Sequence, residues 1–138
     1  MHKRLLLLVM AVLAVAAVPA LAATKHGITP TYPKAGQTVP RGKAPTFKAR
    51  VVGKGSVWFY VCKSAKRDKD RLICDNEAVE QAKKVGKNRY QRKMKFYRYP
   101  DYWLESPGTY YWQAHRIACV NGPKDCVQEG PVVKFKVG

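Results

Sequence analysis

The stretch TYYWQAH, residues 109–115, decides the fold class because core-type side chains recur at every second position. Successive side chains of an extended chain point to opposite faces of a sheet. One face of this stretch carries Tyr110, Trp112 and Ala114. A continuous apolar face backed by a more polar one predicts a β-strand with one side in a hydrophobic core.

The same period-two alternation recurs along the rest of the chain. It is present in PTFKARVVG (45–53), SVWFYVC (56–62), RYQRKMKFYRYPDYW (89–103) and VVKFKV (132–137). Glycine and proline separate these segments, as expected for turns between strands. Several short strands in about 115 residues predict an all-β, antiparallel β-sandwich of a single domain.

One segment departs from the alternation. CDNEAVEQAKKVGKN, residues 74–88, contains Ala, Glu, Gln and Lys without a β-branched run. Glu80 and Lys84 have i,i+4 spacing, and Gly86 suits the C-terminal end of a helix. These features predict one short helix in a long connection between strands.

The N-terminus predicts export. A short positive segment, residues 2–4, precedes an apolar run that ends at the small-x-small site Ala20–Ala22. Signal peptidases cut at such sites, so we expect a signal peptide over residues 1–23 and a mature domain over residues 24–138. An uncleaved membrane anchor is the alternative, which Pro19 and the alanine-rich second half of the run disfavour. The expected location is extracellular or in the cell envelope.

The charge of the chain is strongly positive. Lys and Arg number 26 against 9 Asp and Glu, for a formal net charge of +17 at pH 7. Such a charge predicts attraction to anionic surfaces, nucleic acids or acidic glycans. A basic secreted protein with a solvated cationic surface would show the same composition, so charge alone does not identify a partner.

The four cysteines indicate disulfides. They are Cys62, Cys74, Cys119 and Cys126. An even number in a short exported chain predicts two bridges. The gaps of eleven and six residues do not match the ligand pairs of zinc sites, so we expect no metal. Three connectivities remain open on the residues alone.

A family resemblance enters at residues 104–112. Leu104 followed by PGTYYW (107–112) resembles the penultimate strand of fibronectin type III domains, and GPVVKFKV (130–137) is similar to their last strand. The resemblance covers about residues 28–138, with 63–88 as an insertion. It implies a seven-strand, two-sheet module related to immunoglobulin-like domains, used for binding or as a spacer and without catalytic residues.

The resemblance also implies a disulfide pairing. In this topology Cys62 and Cys119 lie at opposite ends of the sandwich, too far apart for bridged Cα atoms. The implied bonds are therefore Cys62–Cys74 and Cys119–Cys126, each closing a local loop.

No catalytic constellation is recognisable in the mature chain. His26 and His115 are its histidines, and His115 has no serine, cysteine or carboxylate partner on its strand. A lone histidine of this kind is expected to be a surface residue of the sheet. The carboxylates near the Cys62–Cys74 loop are interspersed with Lys and Arg, which disfavours calcium. We therefore expect no enzyme activity and no cofactor.

Two candidate binding surfaces follow. If the third, sixth and seventh strands share a sheet, its outward side displays rings beside cations, which suits an acidic glycan or a single-stranded nucleic acid. These residues are Trp58, Tyr60, Tyr111, His115, Lys134 and Lys136. The alternative is that residues 63–88 fold over the rings and form a second small core.

The second candidate is a basic loop. It consists of Lys63, Lys66, Arg67, Lys69 and Arg71. Expected partners are an anionic polymer or a protein at the cell surface, with nucleic acid binding without sequence preference. A third function class is a small secreted hydrolase inhibitor that presents the loop between Cys119 and Cys126.

Overall fold

The computed structural model describes residues 23–73, 78–94, 107–119 and 126–138. Within these ranges the chain forms twelve β-strands and no helix. The strands are β1 (Ile28–Tyr32), β2 (Thr38–Val39), β3 (Thr46–Val51), β4 (Ser56–Cys62), β5 (Arg67–Asp68), β6 (Arg71–Leu72), β7 (Ala78–Gln81), β8 (Lys83–Gly86), β9 (Arg89–Lys93), β10 (Gly108–Ile117), β11 (Val127–Glu129) and β12 (Val133–Val137). The all-β prediction is confirmed.

The strands form two larger sheets and one hairpin. The four-stranded sheet has the order β1-β3-β9-β8, and the six-stranded sheet has the order β2-β12-β10-β4-β7 with β11 also paired to β10. Strands β5 and β6 pair only with each other. Among the described strands, β2 and β12 form the one parallel pair, so the sheets are mostly antiparallel as predicted.

One hydrophobic core contains side chains from both larger sheets. Phe47 of β3 and Trp112 of β10 lie in different sheets, and their rings meet edge to face with centroids 5.1 Å apart. Phe59 of β4 packs against the same indole at 5.5 Å. The indole nitrogen of Trp112 donates a hydrogen bond to the carbonyl of Pro33, so this buried polar group is satisfied. The inward faces predicted from alternation are the faces that form the core.

The predicted helix over residues 74–88 is wrong for the part that the structure describes. Residues 78–86 form β7 and β8. In β7, the buried residues Ala78 and Glu80 are two positions apart and Gln81 is exposed, which is the alternation of a β-strand. Strand β7 pairs with β4, and this long-range pairing overrides the weak local helix propensity.

The strand count also differs from seven. The excess includes the two-residue strands β2, β5 and β6, of which β5 and β6 form in the segment that the sequence analysis treated as an insertion. Strand β9 follows the predicted alternation, with Tyr90 and Met94 buried. The remainder of that alternating segment, residues 95–103, lies outside the described residues.

The cysteines agree with local bridging as far as the structure describes them. Cys119 and Cys126 form a disulfide with Cα atoms 4.1 Å apart, which closes the connection between β10 and β11. Cys62 is buried and disulfide-bonded. Cys74 lies outside the described residues, so the Cys62–Cys74 bond stays a prediction, as does the signal peptide over residues 1–23. No helix within the described ranges is long and apolar enough to cross a membrane.

Candidate binding site on the outer sheet faces

The predicted aromatic and basic surface does assemble on one face. Strands β12, β10 and β4 are neighbours, with Tyr111 opposite Lys134 and His115 opposite Trp58. The Lys134 side chain is exposed, whereas Trp58 and Tyr111 are half-buried. The same pattern holds for exposed Lys136 and half-buried Tyr60.

His115 is not the surface residue that the sequence analysis expected. It is fully buried, and its ring stacks on Tyr60 with centroids 4.1 Å apart. Its Nε2 lies 2.7 Å from Oε1 of Gln113; because an amide oxygen accepts, Nε2 carries the proton. Burial first, and then the positive charge of Arg71, lowers the pKa of His115 to about 4. The imidazole is therefore neutral at pH 7.

A hairpin explains this burial. Strands β5 and β6 lie over β10, where Oε1 of Gln113 accepts the Leu72 amide hydrogen at 3.0 Å. The Gln113 Nε2 group donates to the carbonyls of Asp70 and Gly130. Leu72 is 2% exposed. The alternative prediction, in which the inserted segment covers this face, thus holds at Gln113 and His115.

The basic loop lies on and around the same hairpin. All five of its cations are exposed, as predicted: Lys63, Lys66, Arg67, Lys69 and Arg71. Glu129 offsets part of its charge by pairing with Arg71, and the hairpin also contains Asp70, which pairs with Lys25 at 2.7 Å. The Lys25 ammonium, through its hydrogen bond and its charge, lowers the pKa of Asp70. This loop is a mixed-charge surface.

A second basic surface combines outward cations from several strands, which the sequence analysis did not bring together. It occupies the outer face of the four-stranded sheet, where β3, β9 and β8 are adjacent. We call it the cationic face, and its five charged residues are Lys48, Arg50, Lys83, Arg89 and Lys93, all exposed. Lys48 and Lys83 flank Gln91 on either side, and Arg50 lies directly opposite Arg89. The alternation signals each outward lysine or arginine, but only the strand order shows that they converge.

Acidic residues are segregated from the cationic face. None of the four strands of that sheet contains Asp or Glu, and residues 23–67 and 81–100 contain none at all. The ion pairs within the described part of the chain involve Lys25, Arg71 and Arg92 as cations. No member of the cationic face takes part in them.

Glycine 86 helps to shape this face. A Cβ atom placed on Gly86 would lie 2.6 Å from Nη2 of Arg89. The missing side chain therefore allows the Arg89 guanidinium to lie across β8.

Two hollows adjoin the cationic face at this edge. One, of about 260 Å³, is lined by Thr46, Lys83, Gln91, Arg92 and Lys93. The other, of about 470 Å³, is lined by Trp58, Val79, Glu80, Gln81, Ala82, Lys83 and Arg92. They share Lys83 and Arg92 and are therefore neighbours. We call the two hollows together the groove; its lining includes Lys93 at one end and Trp58 at the other.

Within the described ranges, no group of three or more His, Cys, Asp or Glu side chains is placed to hold a metal ion. Comparisons with protein-family models, curated proteins and solved structures find no match.

Proposed function

We propose that the protein is a non-catalytic binding module that captures a polyanion through the cationic face of its four-stranded sheet. The observation that carries this proposal is the set of five exposed cations on one sheet whose strands contain no carboxylate. A surface of one sign raises the local concentration of oppositely charged polymers and speeds their association.

The arrangement of the cations supports binding of a repeating anion. Directly opposed residues in neighbouring strands lie about 5 Å apart, and residues two apart along a strand lie about 7 Å apart. Arg50 and Arg89 are directly opposed, and like charges so placed destabilise a sheet. A bound anion between them would remove that repulsion, since each guanidinium can donate to phosphate or sulfate oxygens.

The fold that we propose for this function is a fibronectin-type-III-like or immunoglobulin-like β-sandwich. The orders β1-β3-β9-β8 and β12-β10-β4 correspond to the ABED and GFC sheets of such sandwiches. The Pro-Gly-Thr-Tyr sequence that opens β10 supports the same assignment. We propose export by the signal peptide over residues 1–23, with residues 24–138 acting outside the cell or in its envelope, where disulfides persist.

The test is the salt dependence of binding to a short DNA duplex and to heparin. Each phosphate contact that is lost removes about 0.9 from the slope of log affinity against log salt. The double substitution Lys48→Gln with Arg50→Gln should therefore lower the slope for duplex DNA by about 1.8. The matched control, Lys134→Gln with Lys136→Gln, removes the same charge from the six-stranded sheet and should change the slope much less.

Equal losses in the two double variants would contradict the proposal. That result would mean that net charge, rather than the cationic face, determines polyanion binding. Circular dichroism of both variants checks that the fold is retained, as expected for exposed positions.

A further inference from the structure

We propose that the polyanion is a single-stranded nucleic acid and that one of its bases stacks on Trp58 in the groove beside the cationic face. This inference rests on the proposed function and adds the class of ligand. The groove supplies cations at one end and an aromatic ring at the other, which is the combination that single-stranded nucleic acid binders use.

The path of the chain creates the groove. Strand β7 belongs to the six-stranded sheet and β8 to the four-stranded sheet, and only Ala82 separates them. The chain therefore crosses from one sheet to the other at this edge, beside the hollow of about 470 Å³. A strand of nucleic acid lying along the cationic face meets this hollow where Lys83 and Arg92 line both cavities.

Trp58 is suited to be a stacking platform. Its side chain is half-buried on the outward side of β4, so one part of the indole packs against protein and another part lines the groove. The indole nitrogen donates a hydrogen bond to Oγ of Ser56 at 3.2 Å, which restricts the orientation of the ring. Gln81 lies opposite Trp58 on β7 and is exposed; its amide can both donate to and accept from a base edge.

Arg92 is positioned between the ring and the cationic face. Its Nε donates to Oε2 of Glu80, whose side chain is 2% exposed, while the Arg92 side chain is 38% exposed. This bond uses one edge of the guanidinium, and the two terminal nitrogens carry further donors suited to phosphate oxygens. Glu80 thus acts as a positioning residue: it holds the fork of Arg92 at the junction of the two hollows.

The ring distinguishes this ligand class from other polyanions. A DNA duplex keeps its bases stacked on one another, so it can use the cationic face without placing a base on Trp58. The charges alone would accept any sulfated or phosphorylated polymer. A partly exposed indole beside the cations adds favourable contact for unpaired bases, because every base has a stacking face.

The experiment compares two probes of equal charge and length. One is oligothymidylate, and the other is an abasic oligonucleotide with the same phosphates and no bases. Stacking of one base predicts that the unmodified protein binds oligothymidylate about 5- to 150-fold more tightly. Trp58→Ala should remove this preference and leave affinity for the abasic probe nearly unchanged. Trp58→Phe should retain part of the preference, because phenylalanine still presents a ring.

The outcomes separate this inference from the proposed function. Equal affinity of the unmodified protein for both probes overturns base stacking, even if polyanion binding is intact. An equal loss of heparin and oligothymidylate affinity in Trp58→Ala overturns it too and favours an acidic glycan that packs on the ring. The double substitution Lys48→Gln with Arg50→Gln should lower the affinity for both probes by the same factor. If it leaves both affinities unchanged, the proposed function is contradicted instead. If Trp58→Ala does not fold, the comparison of the two probes with the unmodified protein and with Trp58→Phe still tests whether a base stacks on the ring.

Discussion

Gln91 and Gln113 occupy comparable places on the outer faces of the two larger sheets, yet their surroundings are opposite. Gln113 is fully buried beneath the β5–β6 hairpin, and its amide bonds to main-chain groups on both sides. Gln91 is half-buried and lies between Lys48 and Lys83 without a covering strand among the described residues. Among the described residues, the β5–β6 hairpin thus covers the outer face of the six-stranded sheet at Gln113, whereas no strand covers the other sheet at Gln91.

The largest effect expected from this comparison follows from Gln113→Leu. The substitution leaves the Leu72 amide, the His115 Nε2–H and the carbonyls of Asp70 and Gly130 without their partner. Each buried unsatisfied group costs about 1–3 kcal/mol, and relaxation of the hairpin towards water recovers part of it. We expect a loss of about 3–5 kcal/mol in the free energy of unfolding, measured by urea denaturation.

The matched control is Gln91→Leu on the cationic face. Its side chain retains access to water, so the change in unfolding free energy should be within about 0.5 kcal/mol. Similar losses of unfolding free energy for the two substitutions would show that covering Gln113 with the hairpin does not make its face more important for stability.

The next effect is a pH dependence that arises from the covered face. The pKa of His115 falls from its ordinary value of 6.5 to about 4 in the folded chain. Between these values the unfolded chain binds the proton more readily, so the free energy of unfolding decreases as pH falls. The pKa difference corresponds to about 3 kcal/mol at most. Thermal denaturation at about pH 7, 5.5 and 4 should show a progressively lower Tm, because these values span the range between the unfolded and folded pKa of His115.

His115→Gln tests the source of that dependence. Glutamine does not titrate, so the decline between pH 6.5 and 4 should be much smaller in the variant, although its Tm at pH 7 is also lower because the stack on Tyr60 is lost. Asp70, whose pKa is lowered by Lys25, loses its stabilising charge only below its ordinary pKa of 3.8. An unchanged decline in the variant would assign the pH dependence to other groups.

The sequence predicted the inward faces well because alternation is a local signal. Phe47, Phe59, Trp112 and Phe135 are all buried on the faces that period two assigns to them. The fold class follows from that signal, since several half-apolar strands need a common core. The number of short strands does not follow from alternation, because a two-residue strand forms only where the tertiary structure brings two segments side by side.

The candidate site was less predictable because it depends on neighbours that are distant in sequence. Lys48 and Arg89 belong to one surface only because β3 pairs with β9. Conversely, His115 has the outward parity of a surface residue, but it is buried against Tyr60 and Gln113 beside the β5–β6 hairpin. The strand character of residues 78–86 likewise comes from pairing with β4 and β9. Alternation marked the individual outward cations, and the segregation of acidic residues was also visible in the sequence, but neither signal showed that the cations share one surface.

The smallest expected effect has the opposite sign for stability and for binding. Arg50 lies directly across from Arg89, and repulsion between directly opposed like charges is of the order of 0.2–1 kcal/mol. Arg50→Gln should therefore raise the free energy of unfolding by about that amount at low salt while lowering polyanion affinity. Added salt should erase the gain, because it screens exposed charges. Lys136→Gln, which removes a cation paired opposite Thr109, should change neither quantity measurably. A destabilised Arg50→Gln protein would indicate that the guanidinium packs favourably on the sheet, and the cationic face would then owe its composition to stability rather than to a ligand.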